Sequence, residues 1–163
     1  MCIDFRVSNA VTKIPVLPMK DIQELVFIAG SAHWLTSLVF LKGYWQIRMG
    51  EESKPLKAFT THNAVYQWKN MPFGLAGASG TFQREMNRAL KSQSEYAQAY
   101  MDDVVIFSKS FEEHLVHFKL ILTELDKLGF SVRLDKCTFA AERIKYLGHV
   151  IGGGKHGPDE DKF

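Results

Sequence analysis

The chain is poor in the residues that would make it a secreted scaffold or a membrane protein. Among its 163 residues are two cysteines, Cys2 and Cys137. That is too few for a disulfide framework, and no Cys/His cluster has zinc spacing, so a reducing, intracellular setting is expected and structural zinc is not. No apolar run is long enough to span a bilayer, and Met1 leads directly into "CIDF" without the basic and apolar regions of a signal peptide. No compartment is specified, and no membrane partner is expected. Charge of one sign is also scarce: 20 Lys and Arg against 18 Asp and Glu give +2, which permits a nucleic-acid partner without requiring one. Against these absences stand 46% hydrophobic and 12% aromatic residues, enough for one sizeable core and against disorder. A single domain is expected.

Apolar periodicity places the elements. "MCIDFRVSNAV" alternates like a strand, and a helix with Ile22, Leu25, Val26 and Ala29 on one face follows Pro18 and ends at a left-handed Gly30. "WLTSLVFL" (34–41) is a continuous apolar run of strand length, read as a central strand buried on both faces. "KAFTT" and "AVYQWK" flank His62-Asn63 as a hairpin, "MPFGLAGASG" is a loop, and "TFQREMNRALK" carries Phe82, Met86, Ala89 and Leu90 at helical spacing. Ser110 and Glu113 form a capping box before a helix whose stripe Leu115, Phe118, Leu122, Leu125 and Leu128 reads as core packing and stops at Gly129. "FSVRL" and "IKYLGHVIG" read as strands, with 152–154 as a turn. Strands mixed with helices, rather than strictly alternating with them, indicate an α+β domain with an antiparallel sheet.

One stretch carries chemistry. In "AYMDDVVIF" two adjacent carboxylates, Asp102 and Asp103, interrupt β-branched runs, which suggests a tight hairpin presenting both acids at its tip. A solvated turn is the simplest reading of such a pair. The chemical reading is a hard divalent-metal site shared with substrate phosphates, which needs a further acid from elsewhere in the chain.

With its elements laid out, the chain resembles the reverse transcriptase domain of gypsy-type LTR retrotransposons over essentially its whole length. "MCIDFRVSNAVT" resembles the strand at the base of the fingers, "GYWQIRM" the second half of motif A, "MPFGLAGASGTFQREMNRAL" motif B and "YMDDVVIFS" motif C. "LGFSVRLDKCTF" resembles motif D and "KYLGHVI" the primer grip. The resemblance implies an α+β reverse-transcriptase palm, an antiparallel sheet backed by helices, with partial fingers at about 1–33 and 45–75, palm at 34–44 and 76–151, and a tail at 152–163. It implies RNA-directed DNA polymerisation on an RNA or DNA template with primer and deoxynucleotide triphosphates. Two Mg²⁺ or Mn²⁺ ions about 3.5–4 Å apart would carry the displacement.

The same resemblance assigns residues. Asp102 and Asp103 would be catalytic and metal-binding. Tyr44 would be the gate against ribonucleotides, or else a buried aromatic with a satisfied hydroxyl. Phe73 and Gly74 would line the nucleotide pocket or form a plain turn. Lys136 would protonate pyrophosphate, or be merely solvated. Leu147, Gly148 and His149 would grip the primer, and Arg6 would reach the template backbone or pair with Asp4. Trp34, Trp45 and Trp68 are expected to pack rather than stack on bases. The family's motif A aspartate stands five residues before the tyrosine of "GY", where this chain has Val39, a side chain unable to ligate a metal. Motif B also lacks its usual Asn and Ala-Pro, having Gly77, Ala78 and Ser79 instead. The expectation is therefore a polymerase palm of severely impaired chemistry that self-associates through exposed apolar surface. A functional polymerase unit and a non-enzymatic nucleic-acid-binding remnant are the competing readings.

Overall fold

The computed structural model describes residues 3–16, 20–153 and 155–158. Its centre is a four-stranded antiparallel sheet in the order β4-β5-β1-β6, built from β1 (Trp34–Val39), β4 (Ala97–Tyr100), β5 (Asp103–Ser108) and β6 (Thr138–Ala141). Successive strand residues point to opposite faces, and here both faces are covered. Leu38, Val104 and Ile106 pack against Phe82 and Met86 of α4 (Ala78–Ala89) and Ile121 and Leu125 of α5 (Phe111–Lys127). Leu35, Val105 and Phe107 pack against Leu25 and Val26 of α2 (Ile22–Gly30). Ile144, Tyr146 and Ile151 complete that second cluster from the antiparallel sheet β7 (Ile144–Tyr146), β8 (His149–Gly152) and β9 (Lys155–Pro158). This explains why β1 reads as a continuous apolar run: it has no solvent face.

A two-stranded hairpin, β2 (Phe59–Thr60) with β3 (Val65–Tyr66), lies between α3 (Ser53–Leu56) and α4, as its turn residues predict. Ser110 caps α5 by accepting from the Glu113 N–H, and Gly129 closes it at φ +76°. α4 starts at Ala78, drawing the glycine-rich end of the expected loop into its first turn.

Four expectations fail for identifiable reasons. The segment read as an N-terminal strand contains α1 (Arg6–Val11), an alternating pattern with none of its residues buried; Met1 and Cys2 lie outside the described residues. α2 passes through Gly30 and is capped by Ser31 in a right-handed conformation, so Gly30 is the buried last helical residue rather than a left-handed cap. "FSVRL" makes only the isolated bridge Val132–Phe40, and the fourth sheet position goes to β6 instead. Finally, Leu115, Leu122 and Leu128 of the supposed core stripe are exposed, while α5 buries His114, Ile121 and Leu125. The helix is rotated because His114 bonds inward, its Nε2 at 2.8 Å from Thr36 Oγ1 and its Nδ1 at 3.0 Å from Ser108 Oγ.

Candidate active site

The β4–β5 hairpin presents Asp102 at its tip as the sequence suggests, but Asp103, expected beside it there, is the first residue of β5. Tyr100 pairs with Asp103, leaving Met101 and Asp102 as a two-residue turn. Met101 has φ +50°, a left-handed conformation that costs a residue with a Cβ about 1–2 kcal/mol. Two sets of bonds hold it. Asp102 O accepts from Phe40 N–H at 3.4 Å. The buried Gln83 side chain accepts from Met101 N–H at 2.6 Å and donates to Ala99 O and Asn87 Oδ1, each at 2.9 Å. Sequence reasoning missed Gln83, although its spacing with Met86 and Leu90 (i, i+3, i+7) puts a polar side chain on the helix's buried face.

Asp103 begins β5 directly opposite Val39 of β1. Directly opposed residues share a face, with Cβ atoms about 4.5–5.5 Å apart, so Val39 is the cross-strand neighbour of the second acid. On its other side Val39 N–H lies 3.4 Å from Cys137 Sγ, and Val39 O accepts from Arg133 N–H at 2.7 Å. Burial raises the Asp102 carboxyl above the usual carboxylate range; burial and then the Asp102 charge raise Asp103, with Lys136 partly offsetting this. Lys136 stands on the short 3₁₀ turn Leu134–Lys136, near enough for its charge to act on Asp103. Among the described residues no three His, Cys, Asp or Glu side chains could hold a metal ion together.

The aromatic candidates gather beside the pair. The Tyr44 ring lies 5.3 Å from Phe73 and 5.8 Å from Phe82, and burial followed by the Asp102 charge raises its hydroxyl pKa. Gly43 makes this seating possible, since a Cβ there would stand 2.8 Å from the Phe82 ring. Phe73 is half exposed, and Gly74 takes φ +91°. Their loop is latched by Asn9, which donates to Gly74 O at 2.8 Å and accepts from Ala76 N–H at 3.0 Å. Sequence reasoning missed Asn9 as well, for its partners lie 65 and 67 residues away. Trp45 and Trp68 pack edge to face at 5.9 Å, and Trp34 packs on Phe111, as packing residues would.

Leu147 and Gly148 form the β7–β8 turn, at φ +49° and +78°. His149 Nδ1–H donates to Leu147 O at 3.1 Å. Just before them the buried Tyr146 hydroxyl has no hydrogen-bond partner among the described residues, and burial above all, then Asp103 and Tyr100, raise its pKa strongly. This turn therefore belongs to the same neighbourhood as the acids. Arg6 does not join it: its guanidinium pairs with Asp4 at 2.6 Å on the exposed N-terminal segment.

Comparison with known proteins gives a consistent result. The family described as "Reverse transcriptase (RNA-dependent DNA polymerase)" matches residues 2–151. The chain is 37% identical over 150 residues to the retrovirus-related Pol polyprotein from transposon 297 of Drosophila melanogaster, covering 91% of this chain and 14% of that protein. It is 31% identical over 158 residues to the enzymatic polyprotein of cauliflower mosaic virus (strain NY8153), covering 97% and 23% respectively. The chain thus spans under a quarter of the length of these relatives. Its fold is shared by a foamy viral protease-reverse transcriptase solved in complex with double-stranded DNA, with a TM-score of 0.86 at 19% identity over 97% of this chain and 28% of that one. The same viral protein solved with an RNA/DNA hybrid gives 0.85 at 19% identity, over 97% and 21%.

Proposed function

The chain belongs to the reverse transcriptase family, and from that premise we propose that it is the palm, with part of the fingers, of a gypsy-type LTR retrotransposon Pol polyprotein, impaired in nucleotidyl transfer by Val39. The single observation that carries this reading is the register Val39↔Asp103. It sets a hydrocarbon side chain where a carboxylate would share a face with Asp103. The two remaining carboxylates do not fit a pair of divalent ions: with no third anionic group beside them among the described residues, too little negative charge opposes the metal charge, and Val39 supplies no bridging oxygen from the facing strand. Loss of one member of a catalytic unit commonly costs several orders of magnitude.

The other assignments follow from the same reading. Residues 34–44 and 76–151 form the palm and 1–33 and 45–75 the fingers. Tyr44, Phe73 and Gly74 contact the nucleotide, and Lys136 stands beside the reacting phosphates. Leu147, Gly148 and His149 contact the primer. What supports these roles is proximity: the Asp102 charge acts on Tyr44, the Lys136 charge acts on Asp103, and the 147–149 turn follows Tyr146, on which the Asp103 charge acts. Primer and template binding is retained in this proposal, while Arg6, already paired with Asp4, contributes little to it.

The test is binding and extension on one substrate, a labelled primer–template. Salt-dependent binding with extension at least a thousandfold below that of an intact family member is expected, about the scale of losing one catalytic group. Extension at normal rates would overturn the impairment, and salt-insensitive or undetectable binding would overturn the nucleic-acid role.

A further inference from the structure

Gln83 is a buried polar side chain in the apolar interior that α4 shares with the sheet. Its amide cannot be turned over, because Ala99 O can only accept and Met101 N–H can only donate. Both bonds end on the strand that enters the turn carrying the acids, one on Ala99 of β4 and the other on the turn's left-handed first residue, Met101. The second N–H goes to Asn87 Oδ1 one helical turn further on, so both donors and the acceptor are used. No other described side chain is bonded to the backbone of 99–101.

We propose that Gln83 is the positioning residue of the carboxylate pair: by clamping Ala99 and Met101 to α4 it fixes the turn that aims Asp102 and Asp103. The proposal rests on the catalytic reading for its purpose but not for its geometry. α4 carries the motif B likeness and the hairpin that of motif C. The clamp therefore ties the loop that α4 continues, with Phe73 and Gly74, to the acids through one amide.

The test uses amide hydrogen exchange on the full chain. In Gln83→Met, which keeps length and removes the amide, exchange of Met101 N–H should speed about tenfold or more relative to the interior amides of β5. In Gln83→Glu the introduced carboxyl mimics the amide only while protonated, donating O–H to Ala99 O and accepting from Met101 N–H. Once ionised, by about pH 8, the carboxylate can no longer donate and is repelled by Ala99 O and Asn87 Oδ1, so it leaves the buried site and Met101 protection relative to β5 should fall from near the parent's at about pH 4. If Gln83→Met does not fold, this pH dependence carries the test alone. Unchanged Met101 protection, or a loss spread evenly over β4 and β5, would overturn the clamp. These readouts need neither metal nor nucleic acid, so they stand or fall separately from the polymerase reading. Positioning itself is read in the Val39→Asp background, where adding Gln83→Met should cut Mn²⁺ affinity at least tenfold; an equal affinity would overturn it.

Discussion

At the scale of single residues, the two acids are a cost to the fold. Their carboxyls are held above the usual range by burial, and Asp103 further by its neighbour's charge, so the native chain keeps protons that the unfolded chain releases. Stability from this source is therefore complete at low pH and falls as pH rises from the unfolded value of about 4 through the raised folded values. Asp102→Asn should accordingly be neutral or stabilising by no more than about 0.5 kcal/mol at pH 7, because the Asp102 residue is exposed on the turn and its carboxyl only partly desolvated, so solvent screens the effect, with the difference vanishing near pH 3. Thermal melts at the two pH values check this, and a loss of several kcal/mol would show an unrecognised structural partner. Gly43 makes the opposite case. A methyl group there meets the Phe82 ring, which supports both Tyr44 and Phe40. Gly43→Ala should cost about 1–3 kcal/mol by overpacking and should change the near-ultraviolet signal of the Tyr44–Phe82 contact.

At the scale of elements, α5 shows where apolar pattern and hydrogen bonding part. Leucines at 115, 122 and 128 suggest one face, but His114 turns the helix so that its ring bridges Thr36 and Ser108, with His117 Nδ1 also 2.8 Å from Ser108 Oγ. Periodicity alone could not foresee this, since Thr36 lies 78 residues away and Ser108 on the strand that precedes the helix. Burial, and then His117, lower the His114 pKa. As pH falls through the unfolded value of about 6.5, the unfolded chain gains a proton that the native ring refuses, so stability should decline from there toward pH 5. Chemical denaturation at pH 7.5, 6.5 and 5.5 should show this slope, and His114→Gln should flatten it. The leucines left outside are where the self-association expected from the sequence is tested. Leu115→Lys with Leu122→Lys should lower the sedimentation-measured association while changing stability by less than about 1 kcal/mol, whereas Ile121→Lys, at a fully buried position, should prevent folding. Unchanged association in the double variant would locate it elsewhere.

At the scale of the whole molecule, the α+β class, the doubly covered β1, the β2–β3 hairpin and the existence of a hairpin at the acid pair were legible, because each depends on local turn chemistry and strand-length apolar runs; that only Asp102 occupies the turn was not. The pairing of β6 with β1, the helical start at Arg6–Val11 and the clamps made by Gln83 and Asn9 were not, because each is decided by contacts across the chain. The candidate site divides the same way. Its acids stand out in sequence, but that Val39 faces Asp103 depends on strand register, where a slip of one residue would turn Val39 to the other face. The central claim, that this one position separates the palm from a metal-competent centre, is tested most directly by the melting temperature of Val39→Asp against the parent over a Mn²⁺ titration. The account predicts that the variant is less stable than the parent without metal, since it loses an apolar packing group and crowds a third carboxylate beside two others. It should recover with Mn²⁺ as the native state alone binds the ion, while the parent barely responds. A variant whose melting temperature ignores Mn²⁺, or a parent that rises as steeply, would contradict it.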